Sequence, residues 1–220
     1  MRLTRMFGLA VLAAFAMSAV AASAASAAEF FHEGEGLARV IAKNEGSHKF
    51  TAGLIGTIEC KKATFTGTSF VTSPQKTVTV EPAYSECTFL GISGVVVKTN
   101  GCTYTFNQPT GTGPFTGTVT VNCPAGKSIE FEATGCKIEV GGHPKTEKEE
   151  AENQGLSSIT FTNLATTPKS VKVAASVSKI TYKSSGTCTV LGKKEDGSYS
   201  GTALSDAETE GGELVGGFIK

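Results

Sequence analysis

Apolar and polar residues alternate one by one through most of the chain beyond residue 28. The stretches in which Val, Ile or Phe takes every second position are residues 76–80, 118–121, 129–132, 137–140 and 159–162. A period of two is typical of a strand with one face in a core and the other in water, and turn residues recur roughly every 8 to 14 positions, as in sandwiches. The pattern predicts an all-β protein folded as an antiparallel β-sandwich, or as two abutting β-subdomains.

One long apolar pattern changes its phase. Within residues 171–183 the apolar positions are odd-numbered as far as Val177 and even-numbered from Ile180 onward. A shift by one residue in an otherwise continuous strand indicates an extra residue on one strand of a pair, which is a β-bulge. We therefore predict one long strand with a bulge near Ser178-Lys179.

Two later segments are expected to be connections. Residues 143–154 read His-Pro-Lys-Thr-Glu-Lys-Glu-Glu-Ala-Glu-Asn-Gln and have no apolar face, so we interpret them as a solvated loop. This loop makes residues 143–155 the candidate boundary between subdomains. Asp196-Gly197 lies between two β-like stretches, and Asp-Gly in that position favours a tight hairpin turn.

The start of the chain has the three parts of a secretory signal. Arg2 and Arg5 precede an apolar run at residues 6–20, and small Ala and Ser residues fill positions 21–28. Signal peptidase accepts small residues at the cleavage site, so we predict a signal peptide over residues 1–28. No later segment is apolar enough to predict a membrane span.

We expect residues 29–220, which remain after signal removal, to form one all-β domain. The charge of this segment limits the classes of partner that it can bind. The full sequence has 20 basic and 20 acidic residues. Loss of Arg2 and Arg5 leaves Arg39 as the sole arginine and a net charge of about −2. Such a chain lacks the basic surface that nucleic acids require, and it lacks the basic stripe that anionic membranes attract.

All six cysteines follow the predicted signal, at positions Cys60, Cys87, Cys102, Cys123, Cys136 and Cys188. An even number of cysteines in an exported chain predicts disulfides, because the compartment is oxidising. Zinc sites use closely paired Cys-x2-4-Cys knuckles, and the sequence has none. We therefore expect disulfides and no metal site, in a secreted, extracellular or cell-envelope protein.

Six cysteines allow 15 pairings, which sequence alone does not decide. Turn positions favour one set. Cys102 and Cys123 are equally distant from the centre of the Gly-Thr-Gly-Pro turn at residues 111–114, and Cys60 and Cys87 are equally distant from Ser73-Pro74. Residues opposite each other in a hairpin are close enough for a disulfide. The hypothesis is therefore 60–87 and 102–123, which leaves Cys136 with Cys188.

The three histidines, His32, His48 and His143, lie in no catalytic or metal-binding motif. A lone histidine is more often a packing or surface residue than a catalytic one. No Gly-x-Ser-x-Gly elbow is present, since Gly197-Ser-Tyr-Ser-Gly201 has tyrosine at its centre. We predict no catalytic residue, no cofactor-binding residue and no metal ligand.

Two groups of carboxylates also alternate along strands. Glu130 and Glu132 follow the apolar residues Ile129 and Phe131, so we expect these carboxylates on the solvent face rather than as a glycosidase pair. Asp206, Glu208 and Glu210 share another face. We interpret them as charges that protect a sheet edge, with a Ca²⁺ site as the alternative.

Four strings carry a resemblance to a known family. They are Cys-Lys-Lys-Ala-Thr-Phe-Thr-Gly-Thr at 60–68, Tyr-Ser-Glu-Cys at 84–87, Asn-Gly-Cys-Thr-Tyr-Thr-Phe at 100–106 and Cys-Pro-Ala-Gly-Lys-Ser-Ile at 123–129. Together they resemble a family of exported, cysteine-containing all-β proteins of soil actinobacteria, over residues 47–205. The resemblance implies export and the cysteine framework, and it carries over no functional residue.

Function follows only as a set of hypotheses. The first is a non-catalytic binding or structural module with an extracellular or cell-surface partner. The alternative is a secreted hydrolase whose site assembles only in three dimensions, which requires a cleft where a histidine and two carboxylates converge. A third is a protease inhibitor that uses the loop at residues 107–114.

Overall fold

The computed structural model describes residues 27–141, 154–191 and 193–220, and its elements there are all β-strands. In chain order they are β1 (Phe30–His32), β2 (Ala38–Asn44), β3 (His48–Ala52), β4 (Gly56–Gly67), β5 (Val78–Phe89), β6 (Ile92–Lys98), β7 (Thr103–Phe106), β8 (Phe115–Asn122), β9 (Ile129–Ala133), β10 (Cys136–Val140), β11 (Gln154–Leu164), β12 (Ser170–Gly186), β13 (Lys194–Thr209), β14 (Leu214–Val215) and β15 (Gly217–Ile219). No described residue belongs to a helix that could cross a membrane.

Thirteen of the strands in the described residues form one antiparallel sheet that closes on itself twice along its length. In one half the circuit runs β2, β4, β5, β7, β8, β11, β12, β13 and back to β2. In the other half it runs β3, β4, β5, β6, β9, β10, β12, β13 and back to β3. The long strands β4, β5, β12 and β13 belong to both circuits. The predicted antiparallel all-β fold is confirmed, and its sandwich-like layers are joined at both sides.

The alternating pattern of the sequence places the core inside this closed sheet. Four of the five predicted alternating stretches lie wholly in strands, and the fifth enters β5 at Val78. Their apolar residues include Val80, Val121, Ile129, Ile138 and Phe161, each buried. Because side chains of a strand point alternately to opposite faces, one face of each strand fills the interior and the other meets water.

The predicted bulge is confirmed, whereas the predicted hairpin turn is wrong. The register of β12 against β13 shifts between Ser178 and Ile180, and Lys179 has a positive φ of 60°. Asp196-Gly197 lies inside β13, where Gly197 pairs with Ile180. A Cβ at residue 197 would approach the Ile180 carbonyl oxygen to 2.6 Å. The glycine is therefore needed because β12 and β13 lie close together at the bulge, and it does not form a turn.

The predicted disulfides are confirmed. Cys60 and Cys87 are directly opposite each other on β4 and β5, and Cys102 bonds Cys123 beside the β7–β8 pair. The third disulfide joins Cys136, at the start of β10, to Cys188, just beyond the end of β12. No described cysteine is free.

A separate two-stranded sheet, formed by β1 and β15, joins the two ends of the described chain. Phe30 exchanges backbone hydrogen bonds with Gln75, and the ring of Phe30 meets Phe161 edge-on at 5.6 Å. The side chain of Asn163 bonds both the N–H and the carbonyl of Ile219. These contacts hold the small sheet against the large one.

Two predicted segments fall largely outside the described residues. The signal peptide prediction covers residues 1–28, of which only Ala27 and Ala28 are described. The candidate subdomain boundary at residues 143–155 is described only from residue 154. Strands before and after that boundary pair directly, β8 with β11 and β10 with β12.

Candidate functional site: an apolar cavity with a tyrosine–histidine chain

The interior of the closed sheet contains a cavity of about 90 Å³. Its walls are Phe, Val, Ile, Leu and Ala side chains, together with Cys60, His48 and three tyrosines. None of the described residues that line it is Asp, Glu, Lys or Arg. In the described part of the chain the cavity is therefore an apolar chamber, and the polar side chains at its wall are aromatic ones.

Small residues on two neighbouring strands help to leave this space open. Ala175 of β12 pairs with Gly201 of β13, and both line the cavity. The His48 ring also requires a glycine at position 201, because a Cβ there would lie 2.7 Å from Cγ of His48. A side chain at residue 201 would therefore displace the imidazole ring.

The polar side chains of the cavity form one hydrogen-bonded chain. His48 is only 4 % exposed. Its Nε2 lies 3.0 Å from the carbonyl oxygen of Thr202, and its Nδ1 lies 2.5 Å from the hydroxyl of Tyr199. The Tyr84 hydroxyl is 3.2 Å from that of Tyr199 and 3.1 Å from that of Tyr104.

The available hydrogens set the order of donors and acceptors in this series of hydrogen bonds. The Thr202 carbonyl can only accept, so Nε2 of neutral His48 carries the proton and Nδ1 accepts from Tyr199. Tyr199 then accepts from Tyr84, and Tyr84 accepts from Tyr104. Every hydroxyl hydrogen is used within the chain, and Tyr104, at its far end, keeps an oxygen with free lone pairs.

Burial keeps the members of the chain neutral. Desolvation lowers the pKa of His48, and the hydrogen bond to Thr202 offsets part of that effect. Desolvation also raises the pKa of Tyr104 to about 12 and the pKa of Tyr84 well above its usual value. At neutral pH the site therefore holds no net charge.

A second cavity, of about 80 Å³, lies beside the small β1–β15 sheet. Phe106 and Val173 line both cavities, so the two spaces are neighbours. His32 is at this second cavity, and its Nε2 is buried without a hydrogen-bond partner among the described residues.

The structure places His32 and His48 at different cavities. His48 lines the main cavity and His32 the second one, whereas His143 lies outside the described residues. His48 bonds a tyrosine and a carbonyl, and no carboxylate from the described part of the chain lines its cavity. No group of three or more metal-binding side chains occurs in the described part of the chain.

Four of the carboxylates singled out by sequence contact a lysine, an arginine or a serine. Glu130 contacts Lys137, and Glu132 bonds Lys98 at 2.8 Å, on the outer face as expected. Asp206 accepts a hydrogen bond from Ser170, and Glu208 holds Arg39. The edge interpretation is wrong, because this part of β13 pairs with β2 along one side and with β14 along the other.

Sequence reasoning missed the tyrosines of the site. Tyr84, Tyr104 and Tyr199 lie on three strands that are far apart in sequence, so no local spacing links them. Their strand parity was the available signal: Tyr104 shares the inward parity of Cys102, and Tyr199 that of Gly201 and Ala203.

Comparison with protein-family models, curated proteins and solved structures finds no match for this chain.

Proposed function

We propose that this chain is an exported, non-catalytic binding protein that takes a small, mainly apolar molecule into the closed interior of its sheet. The observation that carries the proposal is the uncharged cavity of about 90 Å³ inside a disulfide-bonded fold. Interiors are normally packed as densely as organic crystals. A largely apolar cavity can admit an apolar guest.

Export is part of the proposal. It is supported by the three-part signal pattern over residues 1–28, by the resemblance to exported actinobacterial proteins, and by three disulfides, which persist in oxidising compartments. A hydrolase would need an acid–base pair, and the buried histidine at the cavity contacts no carboxylate of the described residues. Binding without catalysis is therefore the function we favour.

Xenon is the simplest probe, because it fills apolar cavities without requiring a hydrogen bond. We expect the protein to bind xenon, as measured by shifts of the methyl signals of Val119, Ile159 and Val173 in NMR spectra. Ala175→Leu adds about three carbon atoms to the cavity wall and should abolish the shifts, since it fills the free volume.

The matched control is Ala174→Leu, at the neighbouring position whose side chain lies on the opposite face of β12. This variant should bind xenon as the unchanged protein does. The proposal fails if the unchanged protein shows no xenon binding, or if Ala175→Leu binds xenon as tightly as Ala174→Leu.

A further inference from the structure

The hydrogen-bonded chain selects the chemistry of the guest. We propose, building on the function proposed above, that the cavity takes a neutral molecule with a hydroxyl group, which donates its hydrogen to the free oxygen of Tyr104.

The order of the hydrogen-bond donors determines which groups the cavity offers to a guest. His48 fixes the direction, because its Nε2–H is committed to the Thr202 carbonyl at 3.0 Å and its Nδ1 can only accept. Each tyrosine hydrogen then points toward His48. The cavity therefore offers a guest an acceptor at Tyr104 and no hydroxyl donor.

Guests that only accept hydrogen bonds are disfavoured in this cavity. A ketone or ester oxygen placed beside Tyr104 would meet another lone pair and lose its bonds to water. Leaving a buried polar group unpaired disfavours binding strongly, so a site built for one hydroxyl pattern rejects the analogue that lacks it.

Anions are disfavoured in the cavity. Among the described residues no lysine or arginine lines it, and neutral His48 offers no positive charge at neutral pH. A carboxylate would leave water without gaining a counter-charge or a donor. The site therefore favours alcohols or phenols over the carboxylates and ketones of the same size.

The cavity also limits the size of the guest. About 90 Å³ is less than the roughly 150 Å³ of an engineered cavity that binds benzene. Matched probes of four carbons are therefore suitable: 1-butanol, butanone and butyrate, with xenon as the apolar reference.

Binding is measured by NMR titration of the full exported protein. Because an unpaired buried carbonyl is disfavoured, we expect 1-butanol to bind at least about tenfold more tightly than butanone, and butyrate not to bind at neutral pH. Equal binding of 1-butanol and butanone, with xenon still bound, would overturn the hydroxyl inference and leave the proposed function standing. Failure of all probes, xenon included, would overturn both.

A variant tests the direction of the chain. Tyr199→Phe removes the link to His48, so Tyr84 and Tyr104 can pair in either order and free a hydrogen for a carbonyl guest. The preference for 1-butanol over butanone should fall toward one while xenon binding persists. An unchanged preference in Tyr199→Phe would overturn the inference.

Tyr182→Phe is the matched control. It makes the same chemical change at a tyrosine outside the cavity, whose hydroxyl bonds Asp196 at 2.9 Å. This variant should keep the full preference for 1-butanol. Loss of the preference in Tyr182→Phe would show that any lost tyrosine hydroxyl disturbs the site and would overturn the assignment to the chain.

Discussion

A single buried histidine organises the polar part of the interior. His48 is surrounded by the rings of Phe65, Tyr84 and Tyr199, and its two nitrogens are both bonded. Protonation would force Nδ1 to donate and would reverse the hydrogens of the tyrosines. The neutral form is thus the one that the folded state selects.

This selection predicts a pH dependence of stability. The pKa of His48 is lowered in the folded state from its usual 6.5, so between these two values the unfolded chain binds a proton that the folded protein does not. The free energy of unfolding should therefore fall as the pH drops below about 6.5, and it should level off below the folded pKa. Urea unfolding at a series of pH values measures the effect.

His48→Gln provides the comparison, since it removes the imidazole of His48 and leaves the rest of the sequence unchanged. The difference in unfolding free energy between the two proteins should shrink as the pH falls through this window. The pKa values of Glu33 and Glu59 are lowered by hydrogen bonds to Lys169 and Ser47. These two carboxylates therefore change the stability only below about pH 4.5. A difference that is constant from pH 7 to 5 would contradict the account.

Gly201 gives a second prediction at the scale of one residue. Gly201→Ala places a Cβ against the His48 ring and should destabilise the fold by about 1–3 kcal/mol, as overpacking does. Gly155→Ala is the control, because nothing lies within 4 Å of its new Cβ. Denaturant unfolding of the two variants checks this, and equal effects would refute the role assigned to Gly201.

Single residues also show where sequence reasoning stops. The outward position of Glu130 and Glu132 followed from their apolar neighbours, because strand alternation is local. The partnership of His48 with Tyr199 depends on β3 lying beside β13, a contact between residues 151 positions apart. No local pattern contains that information.

The strands were the most predictable elements. Alternation located strands β8, β9, β10 and β11 and the bulge of β12, because the period and the phase of the pattern can both be read from neighbouring residues. The Asp196-Gly197 turn failed because tertiary context used glycine for the close approach of β13 to Ile180. The connection lies instead between the end of β12 and the start of β13, beside Cys188.

The disulfides allow a prediction at the scale of elements. The bridge between Cys136 and Cys188 closes 52 residues, whereas that between Cys102 and Cys123 closes 21. In the chain-entropy model, replacing the first pair by alanine should cost about 0.8 kcal/mol more than replacing the second, within a total of about 2–5 kcal/mol for each. Denaturant unfolding of the two double variants measures the order, and the reverse order would contradict the entropic account.

At the scale of the whole molecule, closure of the sheet is what creates the site. Alternation predicted two layers, but it did not predict that β13 would pair with both β2 and β3, or that β12 would pair with both β10 and β11. These pairings join the layers and enclose the space lined by Ala175 and Gly201. The enclosed interior therefore depends on the pairing of strands that are far apart in the sequence, and no local motif predicts it.

The central claim is that this interior accepts a guest. The most direct measurement is a crystal structure of the protein under xenon pressure, since xenon scatters strongly and marks dry cavities. The account predicts xenon density between Ala175, Val173 and the tyrosine chain, and none there in Ala175→Leu crystals. Xenon found only on the outer surface, or an interior filled by repacked side chains, would contradict it.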